Sequence, residues 1–153
     1  MEFMGIHPVK GDAKGRVGVP KVFRDQLAAA KIDQVIITTN LDKEFRLVEV
    51  VLMDEWQQIV EKLAKEPQFD PKVARFRKIH ITPGQPVSLD GAGRILVPPY
   101  HRQWARLDRE VIVTGGKERF HIWDASLYYQ SIDQIAAEDF EAVQAAIADR
   151  LRG

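Results

Sequence analysis

A stretch of thirteen residues occurs twice in the chain. Asp12-Ala-Lys-Gly15-Arg16-Val-Gly-Val19-Pro20-Lys-Val-Phe-Arg24 is matched by Asp90-Gly-Ala-Gly93-Arg94-Ile-Leu-Val97-Pro98-Pro-Tyr-His-Arg102, with six identities at a constant offset of 78. The match resumes at offset 76, where Val35-Ile-Ile-Thr38 faces Val111-Ile-Val-Thr114, and at offset 75, where Phe45 faces Phe120. An ordered series of this kind marks a duplicated unit. Halves of roughly 75 residues are each too small for a generous core, so the two copies are expected to share burial.

Each copy reads as a hairpin turn, a strand, a short helix beginning at proline and two further strands, that is, a β-α-β-β unit. Val17 and Val19 alternate with Gly18 as in a half-buried strand, whereas Ile95, Leu96 and Val97 run continuously as in a strand buried on both faces. Pro20 and Pro98 end these strands and suit a first helical turn, where a missing N–H costs nothing. Between the copies, Trp56, Ile59, Val60 and Leu63 share a helix face behind Asp54 as N-cap; Asp70-Pro71 starts a second helix and Thr82-Pro83-Gly84 stops it. Gly115-Gly116 turns the chain into a last strand through Phe120, Ile122 and Trp123. After Asp124 the tail is expected to stay helical nearly to the end, with Tyr128, Ile132, Ile135, Phe140, Val143, Ile147 and Leu151 as a packing stripe of the kind that can join subunits. The organisation expected is repeat 1 over 5–52, linking helices over 53–82, repeat 2 over 83–126 and a helical tail over 127–153.

The formal net charge is zero, which is unpromising for a phosphate binder. The distribution changes that. Residues 1–24 carry five basic and two acidic side chains and residues 72–109 carry eight and two, while 42–70 and 125–153 are net acidic. Both copies of the repeated motif lie in the basic stretches. There is no cysteine, so disulfides and thiolate metal sites are excluded. No apolar run is long enough for a membrane span, and Met1 to Lys10 lacks the pattern of a secretory leader. The expected location is cytoplasmic.

In Asp-x-x-Gly-Arg, the aspartate can accept backbone N–H groups within a tight turn and the glycine can take a positive φ. The arginine leaves the turn at the start of a strand. Pairing of Asp12 with Arg16, or of Asp90 with Arg94, would orient a guanidinium fork able to donate to O6 and N7 of guanine or to clamp a phosphate. One such loop alone reads as an ion pair bracing a β-turn. Two copies, each with basic neighbours, favour contact with nucleic acid.

These two motifs, Asp12-Ala-Lys-Gly-Arg16 and Asp90-Gly-Ala-Gly-Arg94-Ile-Leu-Val-Pro98, resemble those of the MraZ family of AbrB/SpoVT-like transcriptional regulators. The resemblance covers nearly the whole chain, including Phe120-His-Ile-Trp-Asp124 and the tail. It implies an α+β fold in which both repeats build one AbrB-type swapped-hairpin β-barrel with flanking helices, and assembly of several subunits into a ring. It further implies binding of double-stranded DNA at short G-rich direct repeats upstream of the division and cell-wall gene cluster, hence nucleoid association. Asp12, Lys14, Arg16, Asp90 and Arg94 become the expected DNA-contact residues. Lys10-Gly11 and Thr82-Pro83-Gly84-Gln85-Pro86 depart from the family's usual residues beside the two loops.

Enzyme motifs fail on inspection. Gly91-Ala-Gly93 lacks the third glycine of a dinucleotide loop, and Thr114-Gly-Gly-Lys117 is followed by Glu118 where a phosphate loop needs Ser or Thr. His7, His80, His101 and His121 have no ligand spacing. No catalytic residue, metal, cofactor or small-molecule substrate is expected. The rival reading is an antitoxin-like protein-interaction module of the AbrB fold, since such proteins use their tails to neutralise a toxin.

Overall fold

The computed structural model describes residues 1–152. The first repeat comprises β1 (Ile6–Lys10), β2 (Arg16–Gly18), α1 (Lys21–Ala29), β3 (Gln34–Thr39) and β4 (Val48–Leu52). Two linking helices follow, α2 (Met53–Ala64) and α3 (Pro71–Phe76), the latter running on into a π-helical turn, Arg77–Ile81. The second repeat comprises β5 (Gln85–Ser88), β6 (Arg94–Leu96), α4 (Pro99–Ala105), β7 (Glu110–Thr114) and β8 (Arg119–Asp124), and the chain ends in α5 (Ala125–Asp133) and α6 (Ala137–Arg152).

Each repeat therefore has one strand more than expected. Pro8 and Pro86 at the middle of β1 and β5 argue against strands in the sequence, but both strands are sheet edges, where a missing N–H breaks no ladder. The sheet is α+β in class, six-stranded and antiparallel, in the order β1-β7-β8-β4-β3-β5, with a separate two-stranded ribbon of β2 and β6. It is open, with β1 and β5 as edges, and its ladders do not close into the barrel implied by the resemblance.

The repeats exchange strands. β1 of the first pairs with β7 of the second, β5 of the second pairs with β3 of the first, and β4 pairs with β8 between them. Burial is shared as expected. Val17, Phe23, Val35, Ile37, Val48 and Val50 of one repeat and Ile95, Val97, Val111, Val113, Phe120 and Ile122 of the other form a single apolar cluster. The Phe23 ring meets those of Phe3 and Phe120 at 5.0 and 5.3 Å between centroids, near the distances that aromatic pairs favour.

The ladders correct one correspondence. Val35 pairs with Leu52 and its counterpart Val111 with Asp124. Leu52 thus corresponds to Asp124, and Phe120 to Val48 rather than Phe45. The reason is loop length: residues 40–47 join β3 to β4, whereas only 115–118 join β7 to β8.

Three further expectations change. Leu96 is 51% exposed although Ile95 and Val97 are buried, because the ribbon is covered on one face only. Asp54 lies within the first turn of α2, whose N-cap is Leu52 without a side-chain bond. The tail is interrupted at 134–136, so α5 and α6 are separate helices. Among the described residues no helix is long and apolar enough to cross a membrane.

The linking segment is tied to the sheet through polar groups. Thr38 Oγ1 donates to the His80 carbonyl at 2.6 Å, Thr39 Oγ1 donates to the Ile79 carbonyl, and His80 Nδ1 lies 2.7 Å from the Thr39 carbonyl. Burial alone would raise the Glu49 carboxyl, but the His121 ring at 3.7 Å and the neighbouring charges, including Arg119 at 3.3 Å, hold it below the usual carboxylate range.

Candidate nucleic-acid interface

The two Asp-x-x-Gly-Arg turns have one geometry. In the first, Asp12 Oδ1 accepts from the backbone N–H groups of Lys14 and Arg16 at 3.0 and 2.9 Å. In the second, Asp90 Oδ1 accepts from Ala92 and Arg94 at 2.9 and 2.8 Å. The other carboxylate oxygen takes the arginine Nε, at 2.5 Å for Asp12–Arg16 and 2.9 Å for Asp90–Arg94. Gly15 and Gly93 close the turns at φ +89° and +74°, conformations that a side chain would strain.

Both carboxyls are held down by these donors. The backbone N–H of Arg16, opposed by burial and then assisted by its side chain and the Lys14 N–H, lowers Asp12 to about 2. The backbone N–H of Arg94 is the main cause for Asp90, which is also lowered. The aspartates are therefore ionised over the physiological range, as acceptors for a guanidinium must be. Because the pinning bond uses Nε, it leaves the Nη N–H groups of each fork to a further acceptor.

The ribbon brings the two turns together. Arg16 pairs with Leu96, Val17 with Ile95 and Gly18 with Arg94. The ladder is extended at both ends, by Val97 N–H to the Gly15 carbonyl at 2.9 Å and Val19 N–H to the Gly93 carbonyl at 3.0 Å. Val17 and Ile95 point inward and are buried. By strand alternation Arg16, Gly18, Arg94 and Leu96 share the outward face. All five expected residues thus lie on this ribbon and its turns, with Lys14 exposed at the tip of the first turn and Ala92 in its place in the second.

Two residues had no assigned part in the site. A Cβ on Gly93 would lie 2.3 Å from Arg24 Cδ, and one on Gly15 would lie 2.8 Å from Arg102 Cζ. Arg24 and Arg102 are themselves counterparts at offset 78. Each helix therefore lays its arginine over the turn of the other repeat, and Arg24 Nε is anchored on the Val19 carbonyl at 2.9 Å. The signal was their identity in the repeat; that each reaches the opposite turn follows only from strand exchange. Among the described residues no group of three or more His, Cys, Asp or Glu side chains could hold a metal ion.

Comparison with known proteins agrees with this architecture. The family model described as "MraZ protein, putative antitoxin-like" matches residues 3–79 and 81–151. A protein of Pseudomonas fluorescens named transcriptional regulator MraZ is 34% identical over 152 residues, covering 98% of this chain and 97% of its own length. Relatives of the same name from Shewanella pealeana and Hydrogenovibrio crunogenus are 33% and 34% identical, covering 86% and 79% of this chain and 86% and 78% of their own lengths. All three relatives are named as transcriptional regulators. A match of this extent, through both repeats, shows that the chain belongs to the MraZ family.

Proposed function

We propose that this chain is a sequence-specific transcriptional regulator that binds double-stranded DNA through the solvent face of the β2–β6 ribbon. The observation that carries the reading is the pair of outward arginines, Arg16 and Arg94, each pinned by its own aspartate on a rigid two-stranded ribbon. A major groove admits such a ribbon, and a fixed guanidinium fork suits the O6 and N7 of guanine. Asp12 and Asp90 orient the forks, and Lys14 adds a phosphate contact. The exchange of β1 and β5 between repeats supports an AbrB-type swapped-hairpin arrangement.

One ribbon offers few contacts in a chain of zero net charge. The working unit is therefore a homo-oligomer, in ring form, whose ribbons engage short direct repeats together. The targets lie upstream of the division and cell-wall gene cluster, and the protein acts in the cytoplasm at the nucleoid. The test is selection of bound sequences from random and genomic DNA. Enrichment of a short repeated G-containing box is the expected result; no enriched sequence would defeat the reading.

The antitoxin-like description of the family model, with the exposed apolar stripe of α6, favours one second reading, a module that sequesters a protein partner. Purification separates the two. A regulator runs alone as a large homo-oligomer, and an antitoxin carries a small toxin with it.

A further inference from the structure

The ribbon is nearly two-fold symmetric, and a symmetric ribbon would read a site equally in either direction. Its symmetry fails at one position of the outward face. Gly18 stands beside Arg94, and its counterpart Leu96 stands beside Arg16.

Neither residue is explained by packing. A Cβ on Gly18 would meet nothing nearer than Val9 Cγ1 at 3.9 Å, and its φ is not positive, so neither space for a Cβ nor backbone strain requires glycine there. A glycine in a strand often marks a bulge, a bend or a place of close approach by another molecule, and the regular pairing of Gly18 with Arg94 leaves the last of these. Leu96 is 51% exposed. A single exposed leucine is ordinary, but this one shares the outward face of the ribbon with both pinned arginines, as the direct cross-strand neighbour of Arg16. Side chains so paired have Cβ atoms about 4.5–5.5 Å apart, roughly one to two base steps along a strand. In the major groove the apolar group that such a side chain can meet is the 5-methyl of thymine.

Resting on the DNA reading above, we propose that Leu96 contacts a thymine methyl beside the guanine taken by Arg16, while Gly18 leaves a notch that lets the DNA approach closely at Arg94. The ribbon then reads its element in one direction. A chain built from two similar halves is thereby matched to direct repeats rather than to palindromes, since each ribbon lies on its element with the same polarity.

The experiment uses the full-length protein and a duplex selected on it from random DNA. Each thymine is replaced singly by uracil, which removes only the methyl group. Wild type is expected to lose about fourfold in affinity, the equivalent of one buried methyl, at a thymine within two base steps of a contacted guanine. Leu96→Ala is expected to bind thymine and uracil probes there equally well. Gly18→Leu, which meets no backbone strain at this φ, is expected to keep the fold by circular dichroism and to weaken binding of the selected duplex by about fivefold or more. Identical uracil profiles for wild type and Leu96→Ala, a selected site without such a thymine, or undiminished binding by Gly18→Leu would overturn the inference alone. Failure to select any sequence would overturn the DNA reading beneath it.

Discussion

Arg16 and Arg94 stand diagonally across the β2–β6 ribbon, each two residues from the other's cross-strand partner and both on the solvent face. Such diagonal neighbours are roughly 7–8 Å apart, about two base steps of a DNA strand. Each is also fixed to its own turn through Nε. Arg16→Ala and Arg94→Ala are each expected to weaken binding by about 1–3 kcal/mol, the range for a bidentate base contact, with the oligomer intact. Anisotropy titrations at one moderate salt concentration read the loss, and wild-type binding by both variants and their double would remove these residues from the interface. Lysine at either position should restore little, because it lacks the planar fork.

Gly15 and Gly93 are constrained twice, by positive φ and by the arginine of the opposite helix. Gly91 has neither constraint, and a Cβ there meets nothing within 4 Å. Gly15→Ala and Gly93→Ala are expected to cost about 1 kcal/mol or more from backbone strain and to displace Arg102 or Arg24. Gly91→Ala is expected to be neutral or stabilising by up to about 1 kcal/mol. Thermal melts of the three variants make the comparison, and equal melting temperatures would show that the turns tolerate a side chain everywhere.

The duplication, the apolar strands and the repeated turn were legible because each depends on local chemistry, such as Asp12 folding onto its own backbone four residues on. Other features depend on partners distant in sequence. Nothing near Pro8 says that Ile6–Lys10 is an edge strand on β7, and nothing near Arg24 says that it covers Gly93. Leu96 was misread for the same reason: a run of three apolar residues fits a strand buried on both faces, and only the pairing with Arg16 shows which side faces solvent. Of the site, the charged residues were readable and the geometry that joins the two turns was not.

Asp12 separates turn formation from arginine pinning. Asn in its place still offers an oxygen to the N–H groups of Lys14 and Arg16 but loses the charge-assisted bond to Arg16 Nε. Asp12→Asn is expected to keep the melting temperature closer to wild type than Asp12→Ala does, while both bind DNA more weakly. The folded value of about 2 lies below the ordinary aspartate value of 3.8, so ionised Asp12 stabilises the fold above about pH 4, and this contribution fades as pH falls from there through 2. Between pH 5 and 8 wild type and Asp12→Asn should show parallel stability profiles, and divergence confined to lower pH is the expected result.

His101 sets a different window. Its Nε2 lies 2.8 Å from the Pro83 carbonyl and its Nδ1 is buried without a partner among the described residues. Burial, only partly offset by that carbonyl, holds its pKa below the ordinary histidine value of 6.5. A depressed histidine pKa means that the unfolded chain takes up the proton first, so stability is full above about pH 6.5 and declines as pH falls below it, until the folded form also protonates. Denaturant melts between pH 7.5 and 5 should show this decline in wild type and a flatter profile in His101→Gln. Equal slopes would assign the decline to other groups.

Helix α6 has no buried residue, and Phe140, Val143, Ile147 and Leu151 are exposed along it. Removing it takes almost nothing from the shared core, which lies in residues 3–122. A chain ending at Ala136 is therefore expected to melt within a few degrees of wild type, since surface changes are usually within about 0.5 kcal/mol. If the stripe joins subunits, the same truncation lowers the mass measured by light scattering. It should then lower affinity for a repeated site by about 10²-fold or more through lost avidity, while affinity for a single element stays unchanged. Phe140→Glu with Val143→Glu in the full-length chain should reproduce the effect without shortening the protein. Unchanged mass in both variants would place the subunit contacts elsewhere and leave the stripe to a different partner.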